Sequence, residues 1–226
     1  MPRARTTRTF RQTAASPQDS GSGCLSGFAF IPLSVILVSY LLASLAAKVN
    51  INEISSVSSS AWISAVFTPE VQYWARDISR WAASADLDPN LVATVMQIES
   101  CGNPRARSSA GAMGLFQVMP YHFQISDNPY NPDTNALRGL AYLKRSLDSA
   151  GGDPRLALAG YNGGVGVISR PEWAWPEETK RYVRYGWPIY NAAHIAAPSP
   201  ETVQEWHQKY NGGLCRQARQ SLGIAQ

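Results

Sequence analysis

The sequence predicts an all-α domain over residues 68–226, and three observations carry that expectation. Helix-start pairs such as Thr68-Pro69, Asp88-Pro89 and Asp153-Pro154 recur along the chain. Apolar residues follow each of them at spacings of three and four. No segment sustains the period-two alternation of a half-buried strand. Apolar residues make up 45% of the chain, enough for a buried core in a domain of this size.

Each element has its own signal. Thr68 and Pro69 open a helix through Val71, Trp74, Ile78 and Trp81. Asp88-Pro89 opens the next, with Leu91, Val92, Val95, Met96 and Glu99, stopping near Gly102. A loop with Pro104 and Gly111 leads to a shorter helical stretch around Leu115–Met119. Asp133-Thr134 starts a helix carrying Leu137, Leu140, Ala141, Tyr142 and Leu147, closed by Gly151-Gly152. Asp153-Pro154 starts another through Leu156, Leu158 and Tyr161. Further helices are expected from Glu177 to about Tyr185 and from Ser199-Pro200 through Trp206. The tryptophans Trp173, Trp175 and Trp187 read as core packing, with stacking on the faces of a ligand as the other reading.

The first 67 residues have a different character. Residues 1–24 form a basic tail, residues 25–47 an uncharged apolar run, and residues 48–67 a Ser-rich linker. The run is long enough to cross a bilayer as a helix. Four arginines precede it, so the tail is expected in the cytoplasm and the domain outside. A cleaved signal ending near Ser44-Leu45-Ala46 is the other reading of the same stretch, and gives a secreted protein. The net charge of +4 arises entirely within the first 48 residues; from residue 49 onward basic and acidic side chains number 15 each. A folded part without a basic face argues against a nucleic-acid reader. His122, His194 and His207 lack ligand spacing, so no metal and no cofactor are expected. Cys101 and Cys215 are the two cysteines of the exported part and a candidate disulfide.

Glu99 closes an apolar helix, where desolvation would raise its pKa and keep it protonated as a general acid. On its own that is one more helix-end carboxylate. Its context is more specific. Residues 99–120 read ESCGNPRARSSAGAMGLFQVMP, residues 156–164 LALAGYNGG, and residues 178–183 ETKRYV. These three blocks, in this order, resemble the motifs of soluble lytic transglycosylases of the goose-type lysozyme-like superfamily, over roughly residues 70–195. Gly160 and Gly163 depart from the family pattern, which has alanine at both places.

The resemblance implies a lysozyme-like helical fold and cleavage of peptidoglycan glycan strands, with Glu99 as acid/base. It places Ser108, Gln117, Met119, Tyr161, Asn162, Glu178 and Tyr182 against the substrate; Ser100, although within the first motif, reads as structural. It also implies that the MurNAc–GlcNAc bond is broken without water, giving 1,6-anhydromuramoyl ends. Two other readings stand beside it. One is a lysozyme-type muramidase, which needs a second carboxylate, with Asp127 and Asp133 nearest in sequence. The other is a non-catalytic peptidoglycan-binding module. The cytoplasmic membrane is an expected partner through the N-terminal helix, and a cell-envelope machine a candidate one.

Overall fold

A computed structural model describes residues 63–195 and 201–224. The expected basic tail and membrane or signal segment lie outside the described residues. No helix among the described residues is long and apolar enough to cross a membrane. Among the described residues eight α-helices follow one another: α1 Pro69–Gln72, α2 Ala75–Ala85, α3 Pro89–Ser100, α4 Pro132–Ser149, α5 Pro154–Gly163, α6 Glu177–Ile195, α7 Glu201–Tyr210 and α8 Arg216–Leu222. Single 3-10 turns lie at Pro120–His122, Val165–Val167 and Glu172–Ala174, and a π-turn at Asn211–Cys215 joins α7 to α8. Strand-like pairing among the described residues is limited to isolated bridges at Arg107, Met113 and Val118.

Helix α3 is the spine. Its N-cap Asp88 accepts from the Asn90 amide at 2.7 Å, and Pro89 fills the first position, where no donor is needed. Leu91, Val92, Ala93, Val95 and Met96 are all buried, because α2 packs on one side of the helix and α6 on another. Cys101 turns into the left-handed region at φ 50°, followed by Gly102 at φ 80°. There the chain passes so close to the Glu70 carbonyl that a Cβ on Gly102 would sit 2.7 Å from it. Ile98 and Glu99 are only partly buried at the end of α3, whereas Ser100 stays fully buried. Helix α6 packs on α3, α5 packs on α6, and α4 packs on α5.

Four boundaries differ from the sequence expectations. The first helix is two: Trp74 lies outside helical geometry (φ −92°, ψ 7°), and α2 restarts at Ala75. Thr68 makes no side-chain cap bond; its amide donates to Gln97 Oε1 at 3.0 Å and its hydroxyl meets Cys101 Sγ at 3.3 Å. The cap of α4 is Asn131, which accepts from Thr134, with Pro132 in the first turn in place of the expected Asp133-Thr134 start. Residues 115–119 are not helical. Gly114 and Gln117 both have positive φ, and the Asn135 side chain binds the Phe116 amide and the Met113 and Pro129 carbonyls, holding an open loop. Helix α6 runs ten residues past Tyr185, with Pro188 inside it.

The domain also begins before residue 68. Phe67 is buried, Ile63 and Val66 pack against the core, and the Ser64 amide donates to Asn90 Oδ1 at 2.8 Å. At the other end, Cys101 and Cys215 are joined with Cα atoms 5.0 Å apart. Arg219 of α8 pairs with the fully buried Glu70 of α1 at 2.6 Å. Residues 201–224 are thereby fastened to the turn that follows α3.

Candidate active site

Glu99 occupies the penultimate position of α3 and faces a cleft of about 600 Å³. Burial pushes its carboxyl up to about 8, and the nearby negative charge of Glu178 adds to the rise. The Tyr182 hydroxyl works in the other direction, lying close enough to favour the charged form. That hydroxyl is itself buried and makes no hydrogen bond of good geometry. At neutral pH Glu99 thus carries its proton, with a polar O–H beside it.

The loop from Cys101 to Pro120 forms one wall of the cleft. Ser108 holds the loop closed: its amide donates to the Ala112 carbonyl and its Oγ accepts from the Ala112 amide, both at 3.0 Å. The hydroxyl proton keeps its freedom to donate into the cleft. Gln117 adopts φ 43°, and its side-chain amide donates to the Gly114 carbonyl at 3.0 Å. Met119 follows it on the same wall. Ser100 does not face the cleft; it is buried and donates to the Leu115 carbonyl at 2.6 Å, tying the loop to α3.

The opposite wall comes from α4, α5 and the start of α6. Tyr161 donates to the Phe116 carbonyl at 2.7 Å, bridging the two walls across the floor. Asn162 accepts from Thr179 at 2.9 Å. A Cβ on Gly163 would strike that Thr179 hydroxyl, and one on Gly160 would meet Ile168, so both departures from alanine fit neighbours that occupy the space. Glu178 is exposed at the rim.

Ser108, Gln117, Met119, Tyr161, Asn162 and Glu178 all line the cleft with Glu99. Tyr182 lines a smaller recess of about 170 Å³ that shares Glu99, Asn162 and Glu178 with it.

Asp127 and Asp133 are not in either space. Asp127 binds Arg138 at 2.7 Å, and Asp133 binds Arg80 and the Trp81 indole, each at 2.7 Å. Asp133 instead lines an apolar groove between α2 and α4. Among the described residues, Glu178 is the one carboxylate besides Glu99 that lines the cleft.

The sequence reading missed part of the cleft. Tyr121, His122 and Tyr142 line it and continue from Tyr161 as a ladder of tilted rings, with centroids 4.6, 4.9 and 5.8 Å apart in turn. Tyr142 reads as one more apolar residue of α4, although two aromatics directly after Met119-Pro120 are a usable signal. Desolvation, followed by the charge of Arg145, lowers the pKa of His122, which is therefore neutral at pH 7. Of the three tryptophans expected in the core, Trp175 is buried and Trp187 is partly buried against the core cluster, whereas Trp173 is 80% exposed. Glu70, Cys101 and Cys215 cluster closely, but the two sulfurs are bonded to each other and are not free to ligate a metal.

Residues 77–181 match the family described as the Transglycosylase SLT domain. A transglycosylase of Enterobacteria phage PRD1 is 41% identical over 114 residues, which cover 50% of this chain and 40% of the phage protein. The soluble lytic murein transglycosylase of Salmonella typhimurium is 30% identical over 102 residues, covering 40% of this chain and 16% of that protein. Among solved structures, an inactive mutant of the lytic transglycosylase Slt from Pseudomonas aeruginosa aligns with a TM-score of 0.44 and 23% identity. It covers 59% of this chain and 24% of that one. The chain spans less than half the length of the curated relatives it matches.

Proposed function

We propose, from the premise that residues 77–181 are a transglycosylase SLT domain, that this chain is a peptidoglycan lytic transglycosylase with Glu99 as its single acid/base. The observation that carries the reading is a carboxyl raised to about 8 by burial on one side of an open cleft. Such a group is an acid at neutral pH and a competent base once it has given up its proton.

The proton of Glu99 goes to the oxygen linking N-acetylmuramic acid to N-acetylglucosamine, and the bond from that oxygen to the anomeric carbon breaks. The muramoyl 2-acetamido carbonyl stabilises the positive charge left on that carbon. The muramoyl 6-hydroxyl then attacks it, and the Glu99 carboxylate takes the hydroxyl proton. The product is a 1,6-anhydromuramoyl end, and Glu99 is restored. Tyr182 favours the carboxylate formed midway, and Ser108 has a hydroxyl proton to offer the acetamido group or the acid. Gln117, Met119, Tyr161, Asn162 and Glu178 line the path of the glycan.

Hydrolysis on the same scaffold needs a second carboxylate to activate water. The ion pairs of Asp127 and Asp133 outside the cleft speak against both candidates. The wider reading follows the same line. The helical domain is lysozyme-like of the goose type, and residues 25–47 tether it to the cytoplasmic membrane with the catalytic part in the cell envelope, beside an envelope machine. The charge asymmetry around residues 25–47 supports that orientation.

Mass spectrometry of purified peptidoglycan digested by the full chain tests the reaction. Anhydromuramoyl ends are expected from the wild type, and Glu99→Gln should lower their rate of formation by about 10²–10⁴-fold, the usual contribution of a positioned general acid. Reducing muramic ends from the wild type would establish hydrolysis in place of this mechanism.

A further inference from the structure

The cleft and the smaller recess divide at Glu99, Asn162 and Glu178, which belong to both. Among the described residues, no lysine or arginine lines the cleft. Past the shared edge, the recess is walled by Ile98, Tyr182, Tyr185 and Trp206, and Arg181 is the one charged residue it does not share. Arg181 is exposed and forms no ion pair among the described residues, although Glu178 lies one turn earlier on α6.

Trp206 belongs to α7, beyond the residues 77–181 that match the family. It is 1% exposed, and its helix is held in place by several ties. The Tyr185 hydroxyl donates to Glu205 at 3.0 Å, and the Cys101–Cys215 bond fastens the turn that follows. The C-terminal segment therefore supplies a wall of the space beside Glu99.

If the bond cut is a muramoyl bond, the sugar next to Glu99 carries a lactyl group at its 3-oxygen, and through it a peptide bearing carboxylates. That anionic branch must leave the glycan path near Glu99. Within the cleft it would meet only Glu99 and Glu178 as charged groups, both acidic. In the recess it meets a guanidinium with no internal partner, suited to a paired contact with a carboxylate.

We infer that the recess is a subsite for the stem peptide of the muramoyl residue, with Arg181 pairing to a peptide carboxylate and Trp206 closing the far wall. The inference rests on the lytic transglycosylase reading.

The test compares two substrates, peptidoglycan with its stem peptides and the same strands stripped of them by an amidase. For each, kcat/KM is measured with the full chain as wild type, Arg181→Lys and Arg181→Glu. The ratio of peptide-bearing to stripped substrate should fall about tenfold in Arg181→Glu, the loss of one charge-assisted contact. Arg181→Lys, which keeps the charge but loses the paired donors, should give a ratio between those of the wild type and Arg181→Glu. An unchanged ratio in Arg181→Glu, with both substrates cut to anhydromuramoyl ends, would overturn the subsite and leave the activity standing. A wild type that forms such ends from neither substrate would overturn the activity and the subsite together.

Discussion

On the proposed mechanism, the working pH range is set at Glu99 by its burial and by two side chains, Tyr182 and Glu178. Because its carboxyl is pushed up to about 8, the acid form dominates below that value, and the proposed first proton transfer requires that form. The rate should therefore hold up to neutrality and fall as pH rises through about 8. Two substitutions should move that alkaline limb in opposite directions. Tyr182→Phe removes a group that favours the carboxylate, so the limb moves to higher pH. Glu178→Gln removes a like charge that disfavours it, so the limb moves to lower pH. Rate profiles of anhydromuramoyl formation measured across the alkaline range check both signs. A shift in the same direction for the two variants would show that Glu99 is not the group titrating.

Helix boundaries divide into those written in adjacent residues and those imposed from far away. Asp88-Pro89 and Asp153-Pro154 were legible because cap and first-turn proline are neighbours, and the structure shows each carboxylate accepting from its own helix. Residues 115–119 were not legible as a loop. Their conformation depends on Asn135, nineteen residues away from Phe116, whose side chain takes three backbone partners there. The division of the first helix at Tyr73-Trp74 is similar: the Trp74 indole donates to the Gly102 carbonyl, a contact no local pattern announces. The motif residues of the cleft were readable one by one, whereas Arg181 and Trp206 meet only through the packing of α6 on α7.

Another long-range tie joins α3 to α6. His194 Nε2 meets Asp88 Oδ2 at 2.8 Å and Nδ1 meets the Tyr190 carbonyl at 2.9 Å, so both nitrogens face acceptors and the charged ring satisfies both. The backbone contact and then Asp88 raise its pKa in the folded protein. Its contribution to stability is fully present below the ordinary histidine value of about 6.5 and is lost as pH rises through the folded value. His194→Ala should lower stability more on the acidic side of that window than on the alkaline side, as measured by urea unfolding at both.

At the scale of the molecule, the ties of the C-terminal segment include a covalent bond, Cys101–Cys215, and an ion pair to a buried carboxylate, Arg219–Glu70. Closing a loop with a sequence separation of 114 restricts the unfolded chain strongly. Replacing both cysteines by serine should cost about 2–5 kcal/mol, read from urea midpoints. The bond also changes what a protease can do. Everything between Cys101 and Cys215 is a ring, and the cleft walls after Glu99, the aromatic ladder and Arg181 all lie on it. A single nick in its exposed stretch around Gln124–Ile125 opens the ring and leaves one molecule, with both severed arms still pinned to the domain. On a gel such a nicked protein runs as one band until a reductant is added, and as two afterwards.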